Sequence, residues 1–307
     1  MSILVFGHKN PDTDTICSAI AYAELKGKLG KDVKAVRLGE INEETKFVLD
    51  YFKVEKPELI ESVSGKEIML VDHNERTQTA DGFEEAKVLE LVDHHRISNF
   101  NVDEPLYVRM EPVGCTATII LKLFKENNLL PSPTTAGLML SAIVSDTLLF
   151  KSPTCTGCDV KAGKELAEIA GVNVEEYGLE MLKAGTALGG KSESELINMD
   201  MKIFEVDGSK IGVAQVNTVN EAELLERKEK LLVEIDNIIN KEGLKFFIFA
   251  ITNILSNDSI GIVAGDGNAV IEKAFNEKID NNLIALKGVV SRKKQIIPPL
   301  TKAIQEA

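Results

Sequence analysis

The sequence predicts an α/β protein of two domains: an N-terminal parallel sheet with helices on both faces, and a smaller C-terminal α/β domain with a mixed sheet. Strand and helix signals alternate through the first half of the chain, the pattern of a parallel sheet with helical crossovers. The stretch Thr186-Ala-Leu-Gly-Gly-Lys-Ser-Glu-Ser194 then interrupts that periodicity with paired glycines and small polar residues. Beyond it the pattern changes to a hairpin, a long charged helix and further apolar strands. The expected limits are 1–187 for the first domain, 188–194 for the linker and 195–307 for the second, and 307 residues suffice for both.

Apolar runs near 2–7, 33–37, 67–72 and 87–93 read as strands. They are continuous rather than alternating, which marks strands buried on both faces. Helices are expected at about 14–29, 43–53, 116–127, 135–149, 159–170 and 174–186. In the second domain, strands near 201–206 and 210–217 flank Asp207-Gly208, a hairpin signal. A charged helix at about 220–241 follows, then strands near 245–252 and 259–264 and a helix near 268–275. A last strand is expected to lead into Ser291-Arg292-Lys293-Lys294.

The chain has four histidines, His8, His73, His94 and His95, and each follows one of the apolar runs. Carboxylates stand beside them at Asp12, Asp14, Asp72 and Asp93. Open parallel sheets bind ligands at the carboxyl ends of their strands. Three strands therefore deliver imidazole and carboxylate to one edge, the composition of a metal site, and of two metals rather than one. Asp12 and Asp14 would serve equally as a helix cap and a dipole partner. With His8 on the same tight loop, however, they form a ligand set that needs no distant segment.

Neighbours on a strand point to opposite faces, so not every member of Asp72-His73 or Asp93-His94-His95 can face one cluster. Asp72 and His94 are expected as ligands and His95 as a group facing substrate. Asp93 is expected as the acceptor that orients an imidazole, and His73 is left out. Asp146 shares a helical face with Met139, Ala142, Ile143, Leu149 and Phe150. A carboxylate in such an apolar stripe is costly unless paired or metal-bound, so it too is expected to bind metal. Far along the chain, Arg292-Lys293-Lys294 suits phosphate recognition, Arg through its fork and Lys as a point charge.

Composition narrows the class. The formal charge of −13 makes the chain a poor candidate for binding nucleic acid or an anionic membrane. The apolar run at the N-terminus stops at Gly7, too short for a signal peptide, and no run approaches a membrane span. A cytosolic protein is expected, with its four cysteines reduced. Cys155-Thr-Gly-Cys158 lacks a second pair and reads as ordinary loop thiols.

The segments GHKNPDTD (7–14), VDHNE (71–75), VDHHR (92–96), EPVGCTAT (111–118), LSAIVSDT (140–147), FKSPT (150–154) and GVVSRKKQ (288–295) together resemble the manganese-dependent family II inorganic pyrophosphatases. These belong to the phosphoesterase superfamily named for its Asp-His-His motif. The resemblance spans nearly the whole chain in the family's order. It implies two domains with the active site between them. It makes His8, Asp12 and Asp72 ligands of one metal, and Asp14, Asp72, His94 and Asp146 ligands of the other, with Asp72 bridging. His95, Lys202, Arg292 and Lys293 would contact phosphate, and only the resemblance picks out Lys202.

The implied reaction is hydrolysis of pyrophosphate to two phosphates. Two metals about 3.5–4 Å apart can acidify a shared water and align the electrophilic phosphate. Mixed imidazole and carboxylate ligands suit Mn²⁺ or Co²⁺, two per subunit, better than Mg²⁺, which is expected to arrive with the substrate. The resemblance also implies a homodimer through the N-terminal domain. The alternative is a related exopolyphosphatase or short-oligonucleotide phosphodiesterase. Oligonucleotide-cleaving relatives typically carry a Gly-Gly-Gly-His motif in the second domain, and this chain has no histidine after His95.

Overall fold

The computed structural model describes residues 2–306 except 187 and 189, so part of the expected linker lies outside the described residues. The chain packs as two compact units, Met1–Gly185 and Thr186–Ala307.

In the first unit the order is β1 (Ile3–Phe6), α1 (Thr13–Lys28), β2 (Val33–Arg37), α2 (Glu43–Phe52), β3 (Glu58–Leu59), β4 (Glu67–Val71), β5 (Lys87–Asp93), β6 (Tyr107–Met110), α3 (Thr116–Glu126), α4 (Pro133–Thr147), α5 (Gly157–Ala170) and α6 (Val174–Gly185). The six strands form a wholly parallel sheet in the order β3-β2-β1-β4-β5-β6. The chain builds outward from β1 to β3, then returns to the other side of β1 with β4. The strand order therefore reverses between β1 and β4, and such a switch point opens a crevice at the carboxyl ends of the strands. Phe6 pairs with Leu70 and Val71 with Val92, so the residues leaving β1, β4 and β5 emerge at one level.

Helical cover of the two faces is unequal. One face packs against α1 and α3. The other buries Phe6, Val36, Ile68, Leu70, Val88 and Leu91 beneath loop residues and a 3₁₀ turn carrying Phe83. Two short strands, β3 and β6, were not expected from the sequence. β6 is an edge strand whose Tyr107 and Val108 are exposed, so it lacks the apolar run that marks its neighbours. Asp146 lies on a helix as expected, but α4 stops at Thr147. Leu148, Leu149 and Phe150, the first at its C-cap, adopt left-handed φ values of 47°, 54° and 64°.

The second unit runs α7 (Glu193–Asn198), β7 (Met201–Val206), β8 (Ser209–Thr218), α8 (Glu221–Leu225), α9 (Lys228–Glu242), β9 (Phe246–Asn253), β10 (Asp258–Gly265), α10 (Asn268–Phe275), β11 (Leu283–Leu286) and α11 (Ile297–Gln305). Its sheet, ordered β11-β10-β9-β8-β7, is mixed: β8 and β9 are parallel and the other pairs antiparallel. The central strand β9 is buried from Phe246 through Thr252. One face packs Phe247, Phe249 and Ile251 against α7 and α9, the other packs Phe246 and Ile248 against α10 and α11. Each such side chain contributes about 1.5–3 kcal/mol on burial.

Two expectations need correction here. The single helix at 220–241 is two helices broken at Glu226-Arg227, where the Arg227 guanidinium reaches Glu193 and the Lys191 carbonyl. The basic run does not end a strand: β11 closes at Leu286, and Arg292–Ile296 forms a π-helical turn leading into α11.

Candidate metal centre

The site grows from the switch point. Phe6 ends β1, and Gly7 turns the chain where a Cβ would fall 2.5 Å from Thr15 Cγ2. The absence of a side chain lets the start of α1 close onto the strand end. His8 follows, then Asp12, whose Oδ1 accepts the Thr15 amide at 2.9 Å and caps α1. The other Asp12 oxygen, Oδ2, lies 3.4 Å from His8 Nε2. The capping reading and the ligand reading of Asp12 are thus compatible, one oxygen for each.

Asp72 leaves β4 with φ +59°, a left-handed conformation that Asp tolerates better than most residues. It is 1% exposed and stands at the middle of the cluster. Its Oδ2 is 3.6 Å from His8 Nε2, and its Oδ1 is 3.4 Å from His94 Nε2. His94 Nε2 is also 3.7 Å from Asp146 Oδ2. Two hydroxyls steady Asp72: Thr15 Oγ1 donates to Oδ2 at 2.7 Å and Thr116 Oγ1 to Oδ1 at 3.2 Å. Asp14, fully buried, accepts Ser18 Oγ at 2.5 Å and the Thr116 amide at 2.7 Å. The latter bond satisfies an otherwise unpaired N–H at the start of α3.

His73 is buried, its Nδ1 lies 2.9 Å from the Val71 carbonyl oxygen, and burial pulls its pKa down to about 4. Asp93 Oδ1 accepts both the His95 amide at 3.0 Å and His95 Nδ1 at 2.9 Å. Asn74 Nδ2 donates to Asp93 Oδ2 at 2.6 Å and to the Arg96 carbonyl at 2.9 Å, which ties the loop carrying His94 and His95 to the end of β4.

Among the described residues, three groups of ligand atoms lie within 4.8 Å of one another: His8, Asp12 and Asp72; Asp72, His94 and His95; and Asp14, Cys115 and Asp146. Four carboxylates this close repel, and the proton affinities show it. Burial and the neighbouring Asp14 push Asp72 up to about 7. Asp146 is raised by burial, then by Asp14 and Asp72. Burial opposes the charged form of His94, but hydrogen bonding to Asp72 and the charge of Asp14 hold it up at about 9. Protons thus occupy places that a divalent cation would take. Each Asp72 oxygen points at a different imidazole nitrogen, so the donor set fits two cations sharing one carboxylate.

Of the expected phosphate contacts, His95 lies in the first unit and Lys202, Arg292 and Lys293 in the second. Lys202 is exposed on β7 and Lys293 is exposed in the π-helical turn. Arg292 is mostly buried and pairs with Asp200 Oδ1 at 2.8 Å. The sequence reading missed Thr15, Thr116 and Asn74. Thr15 and Thr116 lie inside or beside the quoted segments, but only the fold shows their hydroxyls on Asp72. Cys115 is fully buried at the start of α3, and Cys158 sits in the first turn of α5 rather than a loop. All four cysteines are free.

Residues 2–143 match the DHH family, N-terminal domain, and residues 179–303 match the DHHA2 domain. A protein of Exiguobacterium sp. named "Probable manganese-dependent inorganic pyrophosphatase" is 59% identical over 304 residues, 98% of each chain. A protein of Bacillus cereus with the same name is 56% identical over 305 residues, 99% of each chain. A crystal structure from Methanococcus jannaschii, assigned to the family II inorganic pyrophosphatases, aligns with TM-score 0.64 and 44% identity, covering 99% of this chain and 100% of that one.

Proposed function

We infer the reaction from one premise: this chain belongs to the manganese-dependent inorganic pyrophosphatases. It hydrolyses inorganic pyrophosphate to two orthophosphates. The observation that carries the reading is Asp72, with one oxygen toward His8 and the other toward His94. His8, Asp12 and Asp72 would hold one divalent cation, and Asp14, Asp72, His94 and Asp146 the other. When bound, the pair supplies an acidified water and neutralises phosphate charge. The relatives' names and the imidazole content favour Mn²⁺, or Co²⁺, two per subunit, with Mg²⁺ accompanying the substrate.

The protein's own groups do the rest. Thr15 and Thr116 fix the orientation of Asp72 so that both its oxygens stay usable. Lys202, Arg292 and Lys293 bind phosphate oxygens and absorb the charge that develops on the leaving group. Asp93 holds the Nδ1 proton of His95 and raises its proton affinity. Nε2 is then the atom that can pass a proton to the leaving oxygen.

The assigned domain limits are 1–187 and 195–307, joined by 188–194. The working unit is a homodimer through the first unit, a reading supported by the exposed edge strand β6 with Tyr107 and Val108 on its surface. The place of action is the cytoplasm, in keeping with the absence, among the described residues, of any helix long and apolar enough to cross a membrane. Neither nucleic acid nor a membrane is a partner, given the charge of −13. Assays of metal-stripped protein with pyrophosphate, polyphosphate and a dinucleotide, each with and without Mn²⁺, test the assignment. Turnover of pyrophosphate should dominate and require added metal. Preference for either other substrate, or full activity without metal, would overturn it.

A further inference from the structure

We propose that Gln215 is a positioning residue for the phosphate-binding cations, acting through Arg292; the inference rests on the phosphate role given to Arg292 above. Gln215 lies near the end of β8 and its side-chain amide is held on both sides. Its Oε1 accepts the Arg292 amide at 2.9 Å. Its Nε2 donates to the Val290 carbonyl at 3.0 Å and to Thr252 Oγ1 at 2.8 Å. An N–H on one side and a carbonyl on the other allow only one orientation of the amide.

The bonds continue beneath it. Thr252 Oγ1 and Ser259 Oγ are 2.7 Å apart, and Ser259 Oγ donates to the Val289 carbonyl at 2.6 Å. With Ser259 spent as a donor to Val289, Thr252 donates to Ser259 and accepts from Gln215. Thr252 is 1% exposed and Ser259 3% exposed. Three polar side chains from adjacent strands β8, β9 and β10 thus interrupt an apolar sheet; Gln215 and Ser259 bond the main chain of 289–292 and Thr252 links the two. Buried polar groups of this kind are stable only when fully paired.

The other end of Arg292 returns to the same place. Its guanidinium NH1 bonds Asp200 Oδ1 at 2.8 Å and also donates to the Asp200 carbonyl. That carbonyl accepts the Gln215 backbone amide at 3.3 Å. Lys202 follows two residues later on β7. Gln215 therefore joins the turn that carries Arg292 and Lys293 to the strand that carries Lys202. The side-chain amide holds the Arg292 backbone N–H, while the Gln215 backbone N–H shares the Asp200 carbonyl with the Arg292 guanidinium, so both ends of this cation are tied to one residue of β8.

A double-mutant cycle in the full-length, Mn²⁺-loaded enzyme tests this. Gln215→Leu should lower kcat/KM for pyrophosphate by about 10–100-fold, by analogy with the loss of a partner that orients a metal ligand, with Mn²⁺ content unchanged. In an Arg292→Ala background the same change should cost no more than about twofold, because the guanidinium that Gln215 positions is already gone although the backbone N–H remains. If Gln215→Leu does not fold, Gln215→Glu, which keeps the acceptor and loses both donors, takes its place in the cycle. Equal losses in both backgrounds would overturn the positioning role while leaving Arg292 as a phosphate contact. Full activity of Arg292→Ala alone would overturn both.

Discussion

In the first unit the charged groups of the proposed site are acids and imidazoles set at strand ends, at the start of α1 and in the last turn of α4; Asp14 and Asp72 are buried, and His8, Asp12, His94 and Asp146 are half-buried. In the second unit the proposed phosphate contacts are cations on a turn and a strand, and Lys202 and Lys293 reach solvent while neutral amides and hydroxyls support the turn from below. The first arrangement is self-repelling. Burial and the charge of Asp14 raise the proton affinity of both Asp72 and Asp146, so each favours a proton or a cation beside it. The second arrangement is stable without a ligand, because the cations are spaced by the backbone and Arg292 has Asp200 as a partner. Altering the first unit should therefore change what binds, and altering the second should change how fast bound substrate reacts.

The largest effect should follow Asp72→Asn, which keeps the shape and removes the charge shared by both cation positions. Mn²⁺ content and pyrophosphatase activity should both be lost while circular dichroism is unchanged. Retention of one tightly bound Mn²⁺ would mean that the two positions are independent. Next, Lys293→Ala should keep its Mn²⁺ and lose turnover by about 10²–10³-fold, by analogy with removing an oxyanion donor. A loss of metal instead would erase the contrast between the units.

Thr15→Val should act more mildly and on binding. It removes the hydroxyl donor to Asp72 Oδ2 without changing volume much, and metal affinity should fall by about 10–100-fold. Equilibrium dialysis against Mn²⁺ would show it, and an unchanged affinity would make the hydroxyl incidental. The smallest signal concerns protons. His94 titrates at about 9 and Asp72 at about 7, so the metal-free site holds protons at neutral pH that cations must displace. Mn²⁺ binding at pH 7 should release protons into weakly buffered solution, and affinity should rise as pH rises from 7 toward 9. Binding without proton release would contradict the protonation of the cluster.

What could be read from the sequence follows distance along the chain. His8, Asp12 and Asp14 declare themselves within seven residues, Asp72 stands directly after an apolar run, and His94 follows another with only Asp93 between. Thr15 and Thr116 did not, because a threonine at a helix start is ordinary and their bonds to Asp72 span 57 and 44 residues. The parallel sheet was legible from continuous apolar strands, but its switch point between β1 and β4 was not, since strand order is a tertiary choice. Edge strand β6 lacked a pattern because half its surface faces water. The broken helix at Glu226-Arg227 and the π-helical turn at Arg292 depend on side chains reaching distant carbonyls and amides, which periodicity does not record.

The central claim is that Asp72 joins two cations in one site. Electron paramagnetic resonance of the Mn²⁺-loaded protein, with the metal counted by elemental analysis, tests it most directly. Two Mn²⁺ per chain with an exchange-coupled spectrum are predicted, because a shared carboxylate keeps the ions within about 3.5–4 Å. A single ion per chain, or two ions with the six-line spectra of isolated Mn²⁺, would contradict it.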